Sequence, residues 1–100
     1  MTSKQRAYLR GQANRLEAIM QIGKQGVTPE IITSLEEALE ARELVKISVL
    51  PNCEEEIDKV AEMLSERSRS ECVQVIGKKI VLYKRSKEKP VIVLPKLPKE

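Results

Sequence analysis

Between residues 44 and 50 the chain reads Leu-Val-Lys-Ile-Ser-Val-Leu, with apolar side chains recurring at every second position. Val45, Ile47 and Val49 then share one face of an extended strand, while Lys46 and Ser48 take the other. On either side the period becomes that of a helix. Ile31, Ile32, Leu35, Ala38 and Leu39 precede the strand at three- and four-residue spacing, and Ile57, Val60, Ala61 and Leu64 follow it. A strand bracketed by two amphipathic helices belongs to crossover connections, so this feature restricts the chain to an α/β architecture.

The remaining elements fit around that centre. Ser3 or Thr2 is placed to cap a first helix running to about Arg15, with Ala7, Tyr8, Gly11 and Leu16 on its inner side. Residues 18–22 read as a short strand ended by Gly23. Thr28 before Pro29 starts the second helix, whose Glu36, Glu37 and Glu40 take the wet side. Pro51 stops the alternating strand, and Asn52 with Glu55 is expected to form a capping box for a third helix reaching about Ser68. Two β-rich runs, 72–76 and 79–84, flank Gly77-Lys78, a hairpin signal. The order α-β-α-β-α-β-β predicts a two-layer sandwich with a four-stranded mixed sheet. Its first three strands run parallel, its crossover helices share one face, and its other face is open. Residues 1–85 form the expected domain. Residues 86–100, with Pro90, Pro95 and Pro98 around Val91-Ile92-Val93-Leu94, read as a basic extended tail or an added edge strand.

Composition narrows the function. One hundred residues bury one modest core. No apolar run reaches the roughly 18 residues of a membrane span, and the charged start lacks a secretory apolar stretch, so a cytoplasmic protein is expected. Histidine is absent, which removes Ser-His-Asp and Cys-His catalysis, and Cys53 with Cys72 makes a poor zinc set. The expectation is a binding protein without enzymatic activity, cofactor, metal or small-molecule substrate. Charge is divided unevenly: residues 1–26 carry five basic side chains against one acidic, residues 27–72 five against twelve, and residues 73–100 eight against two. Two basic ends around an acidic middle suit a polyanion if the fold brings those ends together.

The segment that carries chemistry is Gln21-Ile22-Gly23-Lys24-Gln25-Gly26-Val27-Thr28-Pro29, where a strand ends and a helix begins. Glycines let backbone pass close to a ligand and adopt positive φ. Lys24 projects a mobile ammonium, and the helix amino end beyond it favours phosphate. A G-x-x-G loop is how the KH module clamps a nucleic-acid backbone, although two glycines also serve many plain turns. Glu30 works against an anion at the helix start. No Walker A sequence and no G-x-G-x-x-G occur.

The run from Ser3 through Gly11, the loop 21–28, Glu37-Ala38-Leu39-Glu40-Ala41-Arg42-Glu43-Leu44, and Val73-Gln74-Val75-Ile76-Gly77-Lys78 with Ile80-Val81-Leu82-Tyr83 resemble the YhbY family. That family is the free-standing bacterial form of the CRM domain, the chloroplast RNA splicing and ribosome maturation module. The resemblance spans about residues 2–85. It implies a fold similar to the carboxy-terminal domain of bacterial translation initiation factor three, RNA binding without catalysis, and association with large-subunit precursors of the ribosome. Its loop falls on Gly23, Lys24, Gln25 and Gly26, and its basic first helix on Lys4, Arg6 and Arg10. In this reading Arg15 extends the contact, Lys78, Lys79 and Lys84 add a second edge, and the partners are precursor ribosomal RNA and the pre-ribosomal particle.

Other residues weigh less. Tyr83, within an apolar strand, reads as core, whereas Tyr8 on a basic helix is balanced between packing and nucleic-acid contact. Cys53 and Cys72 read as idle thiols. Glu54, Glu55, Glu56 and Asp58 suit a helix start better than magnesium. Arg67, Arg69, Lys84, Arg85 and Lys87 read as solvated side chains that could together extend an RNA surface. The rival reading is a protein-interaction adaptor using the acidic helices or residues 91–94 by strand addition. Steep salt dependence of RNA binding separates the two.

Overall fold

The computed structural model describes residues 2–87 and 92. It contains α1 (Ser3–Ala13), β1 (Ala18–Ile22), α2 (Pro29–Arg42), β2 (Leu44–Val49), α3 (Ile57–Ser68), β3 (Glu71–Ile76) and β4 (Lys79–Tyr83), in the expected α/β order. Two helix starts have clear local causes. Thr2 accepts the Gln5 N–H and Gln5 Oε1 accepts the Thr2 N–H, each at 3.2 Å, closing a capping box. Thr28 Oγ1 accepts the Ile31 N–H at 3.2 Å, with Pro29 in the first helical position. The third start differs from expectation. Asn52 and Glu55 form no capping box; α3 begins at Ile57 behind Glu56, which makes no side-chain cap bond. The intervening chain is committed to a turn in which the Cys53 N–H donates to the Leu50 carbonyl (3.1 Å), and Asn52 lies against Gly23 instead.

The sheet order is β1-β2-β4-β3. Strand β1 pairs parallel with β2, while β4 is antiparallel to both β2 and β3. The first three strands therefore run in one direction, as the crossovers require, but β2 and β3 do not touch because the last strand lies between them. The hairpin that returns β4 turns at Gly77, whose φ of +57° explains the glycine.

Helices α2 and α3 pack on one face, with Leu35, Leu39, Val60, Ala61 and Leu64 against Ile22, Val45, Ile47, Val49, Ile80 and Leu82. Burying a leucine or isoleucine side chain of this kind contributes about 2 kcal/mol. The opposite face is partly covered by α1, through Leu9 and Ala13 against Leu44, Val73, Val81 and Tyr83. This corrects the expected inner side of α1 at Ala7, Tyr8 and Gly11, which are exposed, while Leu16, just past the helix, packs against this cluster as expected. Arg6 lies on the side of α1 turned to the sheet, because its guanidinium donates to the carbonyls of Cys72 and Val73. The face that alternation predicts as open is thus open only beyond α1.

Glu43 ends α2 at a φ of 64°, giving its N–H to the Leu39 carbonyl (2.7 Å) and accepting the Lys84 N–H on its own carbonyl (2.9 Å). Its side chain is fully buried, with Oε2 accepting the Ser86 N–H (2.7 Å) and Oε1 the Ile92 N–H (2.6 Å). Glu40, expected on the wet side, is half-buried and accepts the Ser86 hydroxyl (2.8 Å) and the Lys87 N–H (3.1 Å). Apart from Ile92, the edge strand expected over residues 91–94 lies outside the described residues. Glu43→Ala strands two backbone donors and is expected to cost about 2–5 kcal/mol in urea unfolding. Glu37→Ala, on the exposed side of α2, should stay within about 0.5 kcal/mol of the parent.

Candidate nucleic-acid interface

The loop 23–26 is a tight turn closed by the Gly26 N–H donating to the Gly23 carbonyl at 3.0 Å. Gly26 has a φ of +68°, and a Cβ there would meet nothing within 4 Å. Conformation, not space, therefore calls for glycine at that position. Lys24 and Gln25 stand exposed at the tip. The helix start beyond offers fewer donors than the sequence suggests. Pro29 has no N–H and Ile31 gives its own to Thr28, which leaves the Glu30 N–H as the first-turn donor facing outward.

The end of β2 gathers two basic segments. The Leu50 N–H donates to the Ile22 carbonyl (2.8 Å) and the Val49 N–H to the Lys78 carbonyl (2.7 Å), so the loop 23–26 and the turn at Gly77-Lys78 flank the same strand end. Two inter-strand spacings put those flanks about 10 Å apart. Lys79 reaches across on the α1 side of the sheet, donating to Ser48 Oγ at 3.1 Å. Cross-strand register then lines up Gln21, Ser48, Lys79 and Ile76 in one row, and Ala18, Lys46, Val81 and Gln74 in the next. Helix α1 covers this face at Val81 and leaves its edges open, exposing 55% of Ile76 and 38% of Ile19.

The eleven residues singled out from sequence separate into two groups. Gly23, Lys24, Gln25, Gly26, Lys78 and Lys79 meet at one end of the sheet. Lys4, Arg6 and Arg10 on α1, Arg15 behind it and Lys84 after β4 lie towards the other end, roughly 16 Å away along the five residues of β1. Arg6 and Lys84 already have partners within the protein. Arg6 binds β3 carbonyls, and the Lys84 ammonium donates to the Ser68 carbonyl (3.1 Å), where a cation complements the end of α3. Lys46 was missed, although its outward position in the alternating strand was the available signal. Tyr83 is buried as expected, and Tyr8 is 38% exposed. Among the described residues no cluster of His, Cys, Asp and Glu is arranged to hold a metal ion, and no helix is long and apolar enough to cross a membrane.

The family model of the CRS1/YhbY (CRM) domain matches residues 1–84. This chain belongs to that family. It is 55% identical to the Bacillus subtilis protein named Probable RNA-binding protein YqeI over 95% of this chain and 99% of that one. A Haemophilus influenzae protein named RNA-binding protein is 30% identical over 88% of this chain and 89% of its own length. The solution structure of the hypothetical protein SAV1595 from Staphylococcus aureus superposes with a TM-score of 0.80 at 47% identity, covering 95% of this chain and 99% of that one. The α/β fold read from the sequence is therefore that of a CRM-family relative.

Both cysteines of this CRM chain are free thiols. Burial pushes the Cys72 thiol up, an effect only partly offset by the Arg6 guanidinium, and burial likewise raises the Tyr83 phenol, helped by the Glu43 carboxylate. Both groups fold in their neutral forms, so their stabilising contribution is intact below the unfolded-state values and is lost as pH rises through the folded ones. Unfolding free energy is expected to decline above about pH 8.5 and further above about pH 10. At pH 8, a thiol reagent should label Cys72 more slowly in the native protein than in urea.

Proposed function

We propose that this chain is a non-catalytic, cytoplasmic RNA-binding protein that acts on precursor ribosomal RNA of the large subunit. The observation that carries this reading is the exposed Lys24 in a glycine-bounded turn, flanking the same strand end as Lys78. It occurs in a chain whose CRM relatives are named RNA-binding proteins. In mechanism, the turn lets an RNA backbone approach closely while Lys24 and Lys78 neutralise its phosphates. Lys79 and the open sheet face continue the surface, and Lys4 and Arg10 on the solvent side of α1 add charge at the far end. With two tyrosines and one of them buried, shape and backbone contacts outweigh base stacking. A protein bound in this way favours whichever RNA conformation it holds more tightly during assembly.

Crosslinking in cells with sequencing of the bound RNA tests the partner, and recovery of large-subunit precursor is the expected result. The loop is tested by two substitutions. Lys24→Ala should weaken binding about two- to fivefold across many sequences. It should also make the log–log salt slope shallower by about 0.7 for single strands. Gly26→Val puts a β-branched residue at positive φ, at a cost of about 1–2 kcal/mol in stability, and should weaken RNA binding by distorting the turn. Melting curves are recorded alongside. Parent-like affinity in two folded variants would reduce the loop to a plain turn and return the binding to the basic helix and the hairpin.

A further inference from the structure

A cavity of about 270 Å³ opens where the α1–β1 connection passes the start of β2, at the opposite end of β1 from the glycine loop. Three cations line it: Arg15 from the connection, Arg42 from the last turn of α2, and Lys46 from the outward face of β2. They stand with Glu17, Leu16 and Ile19. Unlike Arg6, Lys79 and Lys84, these three place no side-chain donor on any group among the described residues. Three unengaged cations against one carboxylate leave the cavity positive, and two guanidiniums suit bidentate capture of a phosphate. Leu16 and Ile19 supply apolar surface beside that charge, as a sugar and base would need. A second cavity of about 280 Å³ shares Leu16, Arg42 and Leu44 with the first and is otherwise lined by Gln12 and Ile92. The two cavities lie side by side, so a ligand longer than one nucleotide has a neighbouring hollow to meet.

We propose that this groove is a second RNA-contact site that takes one nucleotide unit, its phosphate among Arg15, Arg42 and Lys46 and its sugar and base against Leu16 and Ile19. The inference rests on the RNA-binding reading and extends it. A strand held at the glycine loop reaches the groove by following β1, about 16 Å, past the exposed Gln21 and Ile19. The shared chemistry is a nucleotide phosphate, and its source is either an RNA strand or a free mononucleotide.

The experiment uses the full chain and two probes. Adenosine monophosphate is titrated by NMR beside adenosine and inorganic phosphate, and a short single-stranded RNA is titrated by fluorescence anisotropy at several salt concentrations. Adenosine monophosphate at millimolar concentration should move the signals of Leu16, Ile19 and Leu44, adenosine should not, and Arg42→Gln/Lys46→Gln should abolish the movement. The same double variant should bind the RNA at least about tenfold more weakly, with a salt slope shallower by about 0.7 for the one lost phosphate contact. Arg15→Gln lies outside every helix and strand, so it repeats the test where folding is least at stake. RNA that binds parent and double variant alike, with one salt slope, overturns the groove and leaves the glycine loop standing. Mononucleotide shifts confined to residues 23–26 overturn it as well. Shifts in the groove from a parent that binds no RNA overturn the RNA source, and with it the RNA-binding reading, in favour of a free nucleotide.

Discussion

A carboxylate withdrawn from water is costly unless its oxygens are fully engaged, and Glu43 is buried with both oxygens accepting backbone N–H groups. Its position makes that engagement structural for the whole chain. It ends α2, begins the turn into β2, and through its own carbonyl holds the residue that follows β4. Leu44 next to it pairs with Tyr83, so the register of the central antiparallel pair is set at this corner. The positive φ at Glu43 is strain the fold sustains because a helix end, a strand start and the segment at residues 86, 87 and 92 all converge there. Glu40, one turn earlier, serves the same segment.

The elements of this chain were legible where two local signals agreed. Thr28-Pro29 coincided with an apolar stripe, and Gly77 with a β-rich run on either side, and both were placed correctly. Where one signal stood alone it was less secure. Asn52 and Glu55 have the spacing of a capping box, but Pro51 and the contact with Gly23 hold that stretch in a turn. In α1 the buried stripe is Leu9 and Ala13, and sequence periodicity could not find it because the same side carries Arg6. The arginine is tolerated there since it meets carbonyls of β3, a tertiary contact across 66 residues. Nor could Glu43 be recognised, because a glutamate between Arg42 and a strand reads as surface until the residues beyond β4 supply its partners.

The candidate site divides along the same line. Its glycine loop is a local feature, visible as two glycines around a lysine, and the structure adds the reason one of them is needed. The assembly of the rest is non-local. Lys78 flanks the same strand end as that loop because β4 runs beside β2, and Arg42 faces Arg15 because α2 ends where β1 begins. Among the described residues, Lys24 of the first basic segment and Lys78 of the last flank one strand end, while Arg6 meets the start of β3 at the other. The strongly acidic run 54–58 leads into α3, whose packing face is on the other side of the sheet from α1.

The place of β4 has a consequence for how the chain reaches this state. Its partners β2 and β3 lie about 10 Å apart with nothing of their own to bridge them. The gap closes only when residues 79–83 have been made and folded back. During synthesis, then, α1 through β3 are made before the sheet can be complete, and Ile47 and Val75 wait for Ile80, a partner made after both. Pairings between positions as far apart as Leu44 and Tyr83 carry a high loop-closure cost and slow folding. The structure thus favours a single concerted closure once β4 has been made over piecewise assembly from the amino end.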